Sequence, residues 1–243
     1  MSALDRPLIG TTVLALGIAV GGLFAGSGFV RAKQAERYVT VKGVAEKEAK
    51  ADLAIWPLRI VSANNDLAAA NTQLQQSVRK IRAFLGRNGV DTTQLTLQEF
   101  AVTDAEANQY GGNRSGPRYI ITQTVMVRST QPDVVAAASQ KVHELVSEGV
   151  VLSSGEQYGN GGPTFVFTGL NELKPAMIAQ ATARAREAAE QFALDAGSDL
   201  GGIRQANQGY FEILPRDQAQ GISEASQVNK VVRVVATVEY LLK

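Results

Sequence analysis

The chain predicts an α+β protein, in which an N-terminal transmembrane helix precedes antiparallel strand pairs whose apolar faces are covered by three helices. Three observations carry that reading. Residues Leu8 to Val30 hold no charge and are bounded by Arg6 on one side and Arg31 and Lys33 on the other. Beyond Tyr38, runs of alternating apolar and polar residues come in pairs. Between the pairs lie segments whose apolar residues recur at three and four. Two strands, not one, separate successive helices, which disfavours a doubly wound parallel sheet. Periodicity leaves open whether the pairs merge into one sheet or two.

At 1.5 Å per residue, Leu8 to Val30 makes a helix of roughly 35 Å, enough to cross a bilayer core with some tilt. A cleaved secretory signal has an apolar segment of only about 7–15 residues before a small-x-small site. Here the run is longer, the preceding charge is a lone Arg6 beside Asp5, and the small-residue exit is Ala25-Gly26-Ser27. Length and flanks favour a retained anchor over a cleaved signal. A buried core helix fits less well, since nothing polar marks a solvent face. The chain then divides into a tail 1–7, a span 8–30, a linker 31–37 and a folded part 38–243, one continuous domain with room for two subdomains. Gly17 and Gly21, and Gly22 and Gly26, form two small-xxx-small steps that let backbones approach in lipid. They mark a face for helix packing between copies, although glycine is frequent in membrane spans generally.

The folded part opens with two alternating runs. Tyr38 to Glu46 carries Val39 and Val41 on one face, and Ala51 to Val61 carries Ala54, Trp56, Leu58 and Ile60. The polar stretch Glu46 to Lys50 suits a hairpin link between them. Pro57 lacks an amide donor, so its strand should be an edge or bulged there. A helix follows, capped by Asn65 or Asp66, with Leu67, Ala70, Leu74, Val78, Ile81 and Leu85 on one face and Asn88-Gly89 at its end. Strands near Leu95–Val102 and Tyr119–Arg128 flank a Gly-, Asn- and Ser-rich loop, Asp104 to Pro117. A second helix runs from Pro132 to Glu148, with Val135, Ala138, Val142 and Leu145 aligned. Short strands at Val150–Leu152 and Thr164–Thr168 precede the longest helix, about Leu173 to Ala196. Its stripe of Ala181, Ala185, Ala188, Phe192 and Ala196 is mostly small and permits close approach to a sheet. Strands Ile203–Leu214 and Val228–Leu242 complete the chain, the last with Val232, Val234, Ala236, Val238 and Tyr240 on one face.

Composition narrows the function. Lys and Arg number 24 against 23 Asp and Glu, a net charge of +1 that argues against a nucleic-acid partner. With no cysteine there are no disulfides, thiolate nucleophiles or thiolate-held metals. The lone His143 cannot build a histidine-rich zinc site, and a solvated helix position accounts for it.

Val41-Lys42-Gly43-Val44-Ala45 followed by Ala51-Asp52-Leu53-Ala54 resembles the first strand pair of SIMPL-domain proteins. So do the helix from Ala181 to Ala189 and the closing run from Val231 to Tyr240. Asn207 to Phe211 and Pro215-Arg216-Asp217 are similar to a membrane-anchored bacterial branch of that family. The resemblance spans about Tyr38 to Leu242, and the order and spacing of the motifs carry it. It implies an α+β SIMPL domain in the cell envelope, anchored by a single pass in the inner (cytoplasmic) membrane with the folded part in the periplasm. Some bacterial relatives are associated with oxidative-stress tolerance, and some are similar to ring-like homo-oligomers. The family offers no shared catalytic residues to carry over.

The residues themselves make a poor case for an enzyme, and no catalytic, cofactor or metal site is assigned. Gly111 to Gly116 has loop glycines but no phosphate-loop lysine, and Ser153-Ser154-Gly155 lacks the pattern of a nucleophile elbow. The best polar candidates are Asp52, Arg59, Arg216 and Asp217. Asp52 reads as a turn residue and Arg216-Asp217 as a loop salt bridge. The leading expectation is a non-enzymatic, membrane-tethered protein that assembles into a homo-oligomer. Its competitors are an envelope ligand- or protein-binding module, using the loops Asp104–Pro117 and Arg216–Gln227, and a hydrolase with an unrecognised site. The ligand, if any, is not specified. Arg31, Lys33 and Arg37 after the span would by the positive-inside rule put the domain in the cytoplasm; the family resemblance implies the periplasm, and that is adopted.

Overall fold

The computed structural model describes residues 15–24, 27, 37–107, 116–153 and 161–243. Its architecture is α+β with two antiparallel sheets. The strands are β1 (Tyr38–Lys50), β2 (Leu53–Asn64), β3 (Thr96–Asp104), β4 (Tyr119–Ser129), β5 (Thr164–Val166), β6 (Leu200–Pro215) and β7 (Asn229–Leu242). The helices beyond residue 37 are α1 (Leu67–Arg87), α2 (Pro132–Ser139), α3 (His143–Ser147) and α4 (Leu170–Asp195), with a 3-10 turn at Glu224–Ser226. One sheet has the order β1-β7-β6 and the other β3-β4-β2-β5.

The chain divides into two compact units. The larger comprises Glu46–Met177 and Phe211–Arg233. Its centre is β2, whose alternation puts Ala54, Trp56, Leu58 and Ile60 at 0–3% exposure, on the expected face. Helix α1 lies over β2 and β4 and delivers Ala70, Leu74, Val78, Ile81 and Leu85 as its stripe predicts, with Phe84 added. Leu67, expected in that stripe, is the first residue of the helix and is 44% exposed. Asp66 is the N-cap, accepting the Ala69 amide, and Gly89 leaves the helix at φ 78°. Each large side chain buried here, such as Trp56 or Phe84, contributes about 1.5–3 kcal/mol by leaving water.

Pro57 sits within an unbroken β2–β4 register, opposite Met126. The Val61 amide and the Arg59 carbonyl both face away from β4, toward Val151 and Ser153. By parity, Pro57's missing N–H faces that same side. Ladder pairs there end at Ile55–Thr164 and resume at the Ile60–Leu152 bridge, so among the described residues no ladder bond is lost. Among the described residues no strand pairs with β2 beside Pro57 on that side, and opposite β4 the register shows no bulge there.

The smaller unit comprises Met1–Ala45, Ile178–Tyr210 and Val234–Lys243. Its core joins Val41, Val238 and Tyr240 to Ala185 and Ala189 of α4. The predicted β7 face, Val232 to Tyr240, is buried throughout.

Four expectations are corrected. β1 and β2 are not a hairpin pair, since they lie in different sheets. The stretch expected to link them is strand, and only Ala51 and Asp52 intervene. Its charges sit on exposed positions where Glu46 faces Arg233 at 3.4 Å and Lys50 meets Asp133 at 2.5 Å. Val150–Leu152 is a single bridge and not a strand. The second of three expected helices is two, α2 and α3, because the amides of Lys141 and Val142 turn to carbonyls three residues back and tighten the chain there. The buried line of α4 is Met177, Ala181, Ala185, Ala189 and Ala193, while Phe192 is 57% exposed and Ala188 only half-buried. A strict four-residue row is an inclined ridge on the helix, in place of the mixed three- and four-residue stripe expected.

Of the span Leu8–Val30, residues 15–24 and 27 are described and helical, and the remainder lies outside the described residues. Among the described residues no helix is long and apolar enough to cross a membrane.

Candidate association surfaces

β3 is one of two outer strands of its sheet, and eight of its nine residues are exposed. Leu97, Phe100 and Val102 present 45–55% of their surface. The β3–β4 register slips between Gln98 and Ala101, where Glu99 takes φ 54° and its carboxylate accepts the Thr124 hydroxyl at 2.9 Å. A bulge of this kind twists an edge and blunts open-ended pairing, yet it leaves the apolar side chains outward.

β6 and β1 are the outer strands of the three-stranded sheet. Ile203 is 54% and Tyr210 93% exposed. Gly209 allows this strand to run close beside β7: a Cβ there would lie 2.3 Å from the Val235 carbonyl oxygen. Gly43 does the same for β1 against α4, where a Cβ would come within 1.9 Å of the Ala181 oxygen and 2.5 Å of the Ala185 nitrogen. The alanine ridge and Gly43 are thus one device for close helix–strand packing, and the sequence signals only its alanine half.

Along residues 15–24 every position is exposed, Leu16, Ile18, Leu23 and Phe24 by about 70%. Nothing stands within 4 Å of a Cβ built on Gly17, Gly21 or Gly22, and Gly26 lies outside the described residues.

The polar candidates are scattered and engaged in structure. Asp52 is more than a local turn residue, since its carboxylate accepts the Thr168 amide at 3.0 Å and the Thr168 hydroxyl at 2.9 Å, fastening the β1–β2 turn to the approach to α4. Arg59 is half-buried and lines a cleft of about 190 Å³ with Leu152 and Ser153. Arg216 and Asp217 form the expected loop ion pair at 3.1 Å, and hydrogen bonding to Asp217 holds the Arg216 guanidinium above its ordinary value. His143 is exposed at the start of α3. Among the described residues no cluster of three or more His, Asp or Glu is placed to hold a metal.

Both loops named as contact surfaces are pinned at their bases. Arg118 bonds Asp104 at 3.1 Å and Glu106 at 3.0 Å, and its amide reaches Asn65. Those bonds to Arg118 hold the Asp104 carboxyl below its ordinary range. Residues 108–115 of that loop lie outside the described set. In the other loop Gln227 exchanges hydrogen bonds with the Asp217 backbone at 3.1 and 2.9 Å.

A feature missed in the sequence is Lys230. Its side chain is fully buried at the start of β7, and its ammonium is bonded to the Glu224 carbonyl at 2.8 Å and paired with the Glu224 carboxylate. Lysine is rarely buried, so its place in an alternating pattern gave no warning.

A family model described as SIMPL, a protein of unknown function (DUF541), matches residues 39–240. The chain is also similar to the uncharacterized protein YggE of Edwardsiella ictaluri, at 30% identity over 124 residues. That alignment takes in 50% of this chain and 52% of the relative, so the chain spans about half the length of the curated relative it matches.

Proposed function

The chain belongs to the SIMPL (DUF541) family, and from that premise we propose that it is a non-enzymatic protein of the bacterial envelope, tethered by its N-terminal span and assembling with copies of itself. The observation that carries the proposal is the uncharged run Leu8–Val30, whose described part exposes Leu16, Ile18, Leu23 and Phe24 and so needs cover from lipid or a neighbour. The outer strands β3 and β6 support association of the folded part. Among the described residues each has a strand on one side only and apolar side chains exposed along it, and the two edges differ. Unlike edges favour a heterologous contact, which closes into a ring when the rotation allows. The family resemblance supplies the inner-membrane placement and the periplasmic side.

Light scattering of the full-length protein in detergent, beside a form lacking residues 1–30, tests this. A monodisperse large species that persists on truncation assigns assembly to the folded domain, and one lost on truncation assigns it to the span. Val102→Lys should reduce a domain-borne species at least tenfold in association constant, with the thermal midpoint nearly unchanged. A monomer in every form contradicts assembly. It would favour the second reading, a monomeric binding module, for which the pinned loop bases at Arg118 and Gln227 are the supporting observation.

A further inference from the structure

We infer that one end of the smaller unit, presenting Phe192 and Leu194 with Arg37 and Lys243, rests on the lipid surface; this goes beyond the tethering reading and depends on it. The backbone brings three separated segments to that end. The Leu242 amide donates to the Arg37 carbonyl at 2.8 Å, and Asp199 and Lys243 exchange backbone bonds at 3.2 and 2.9 Å. The last turn of α4 closes directly into the same place, with the Gly197 amide on the Leu194 carbonyl at 3.1 Å and the Ser198 amide on Ala193 at 2.9 Å.

This end carries Leu194 at 76% exposure and Phe192 at 57%, side chains that a fold has reason to cover. Chain length says what covers them. Seven residue steps separate Val30, the last residue of the proposed span, from Arg37. Fully stretched, they reach at most roughly 25 Å. The end that holds Arg37 is therefore confined to the neighbourhood of the bilayer wherever the span is inserted. Exposed Arg37 and Lys243 suit the headgroup level, their stems lying along apolar surface and their charges among phosphates. Asp195 and Asp199 sit beside them, so apolar insertion and not net charge makes the contact. Leucine and phenylalanine enter the boundary of headgroup and acyl chain, as in interfacial helices.

The chain has no cysteine, so a single introduced thiol takes a spin label cleanly. Leu194→Cys and Asn207→Cys are labelled in the full-length protein and reconstituted in phosphatidylcholine–phosphatidylglycerol vesicles. Asn207 is exposed on β6, about 23 Å of strand beyond Leu200, and serves as the aqueous reference. Collision of each label with oxygen and with a water-soluble nickel chelate is then measured. The expected result is a label at 194 at least threefold richer in oxygen over nickel contact than the label at 207. Protein that floats with the vesicles while its 194 label behaves as aqueous overturns the inference and leaves the tether standing. A 194 label shielded from both reagents overturns it in favour of cover by a second copy. Failure of the protein to float removes the tether, and this inference with it.

Discussion

Gly43 shows how much a single missing methyl group can decide. Its Cβ would have to occupy space held by the backbone of α4, and backbone cannot rotate away. Gly43→Ala should therefore destabilise the folded part by about 2 kcal/mol or more, read as a lower urea midpoint. Gly86, near the end of α1, meets nothing closer than the Thr92 methyl at 4.0 Å. Gly86→Ala should raise the midpoint, by about 0.5–1 kcal/mol, through helix propensity. Equal effects of the two substitutions would refute the packing account. At Asp104 the relevant force is electrostatic. Hydrogen bonds from Arg118 depress its carboxyl pKa, so the stabilisation they give is present above the unfolded-state value and is lost as pH falls through the folded one. A carbon-13 NMR titration should show a midpoint below the usual carboxylate value, rising in Arg118→Gln. An unmoved midpoint in that variant would assign the depression elsewhere.

Among the elements, those with one buried face were legible: β2, β7 and α1 expose their period directly, and the structure buries the faces the spacing named. The failures have a common cause. A period of two says which residues point inward but not which strand lies alongside, so β1 could not be assigned to β7 in place of β2. β3 has no buried face, and its exposed apolar residues lie on a bulged edge that the placement of a strand near Leu95–Val102 does not signal. Lys230 was invisible because its partner comes from a 3-10 turn with no apolar signature. That pair gives an element-scale prediction. Glu224→Ala strands a buried ammonium and should cost about 2 kcal/mol, less than for a fully enclosed pair because the Glu224 carbonyl still accepts. Lys230→Met removes the charge itself and should cost clearly less. Urea denaturation that ranks them the other way would show that the pair itself holds the turn.

On the scale of the whole molecule, the sequence read fold class and family from order and spacing, and the match over residues 39–240 agrees with that reading. The surfaces proposed for association were only half legible, because outward-facing edges depend on which strands end up outermost, a long-range outcome that local pattern does not contain. Envelope placement and the lipid-facing end both descend from one claim, that the run Leu8–Val30 stays on the chain and holds it to a bilayer. The direct measurement is alkaline carbonate extraction of membranes from cells that produce the protein, with intact-mass determination of the protein in each fraction. The claim predicts that the protein stays in the membrane pellet with a mass that includes residues 8–30. Release into the supernatant, or a mature chain starting near residue 26, would contradict it.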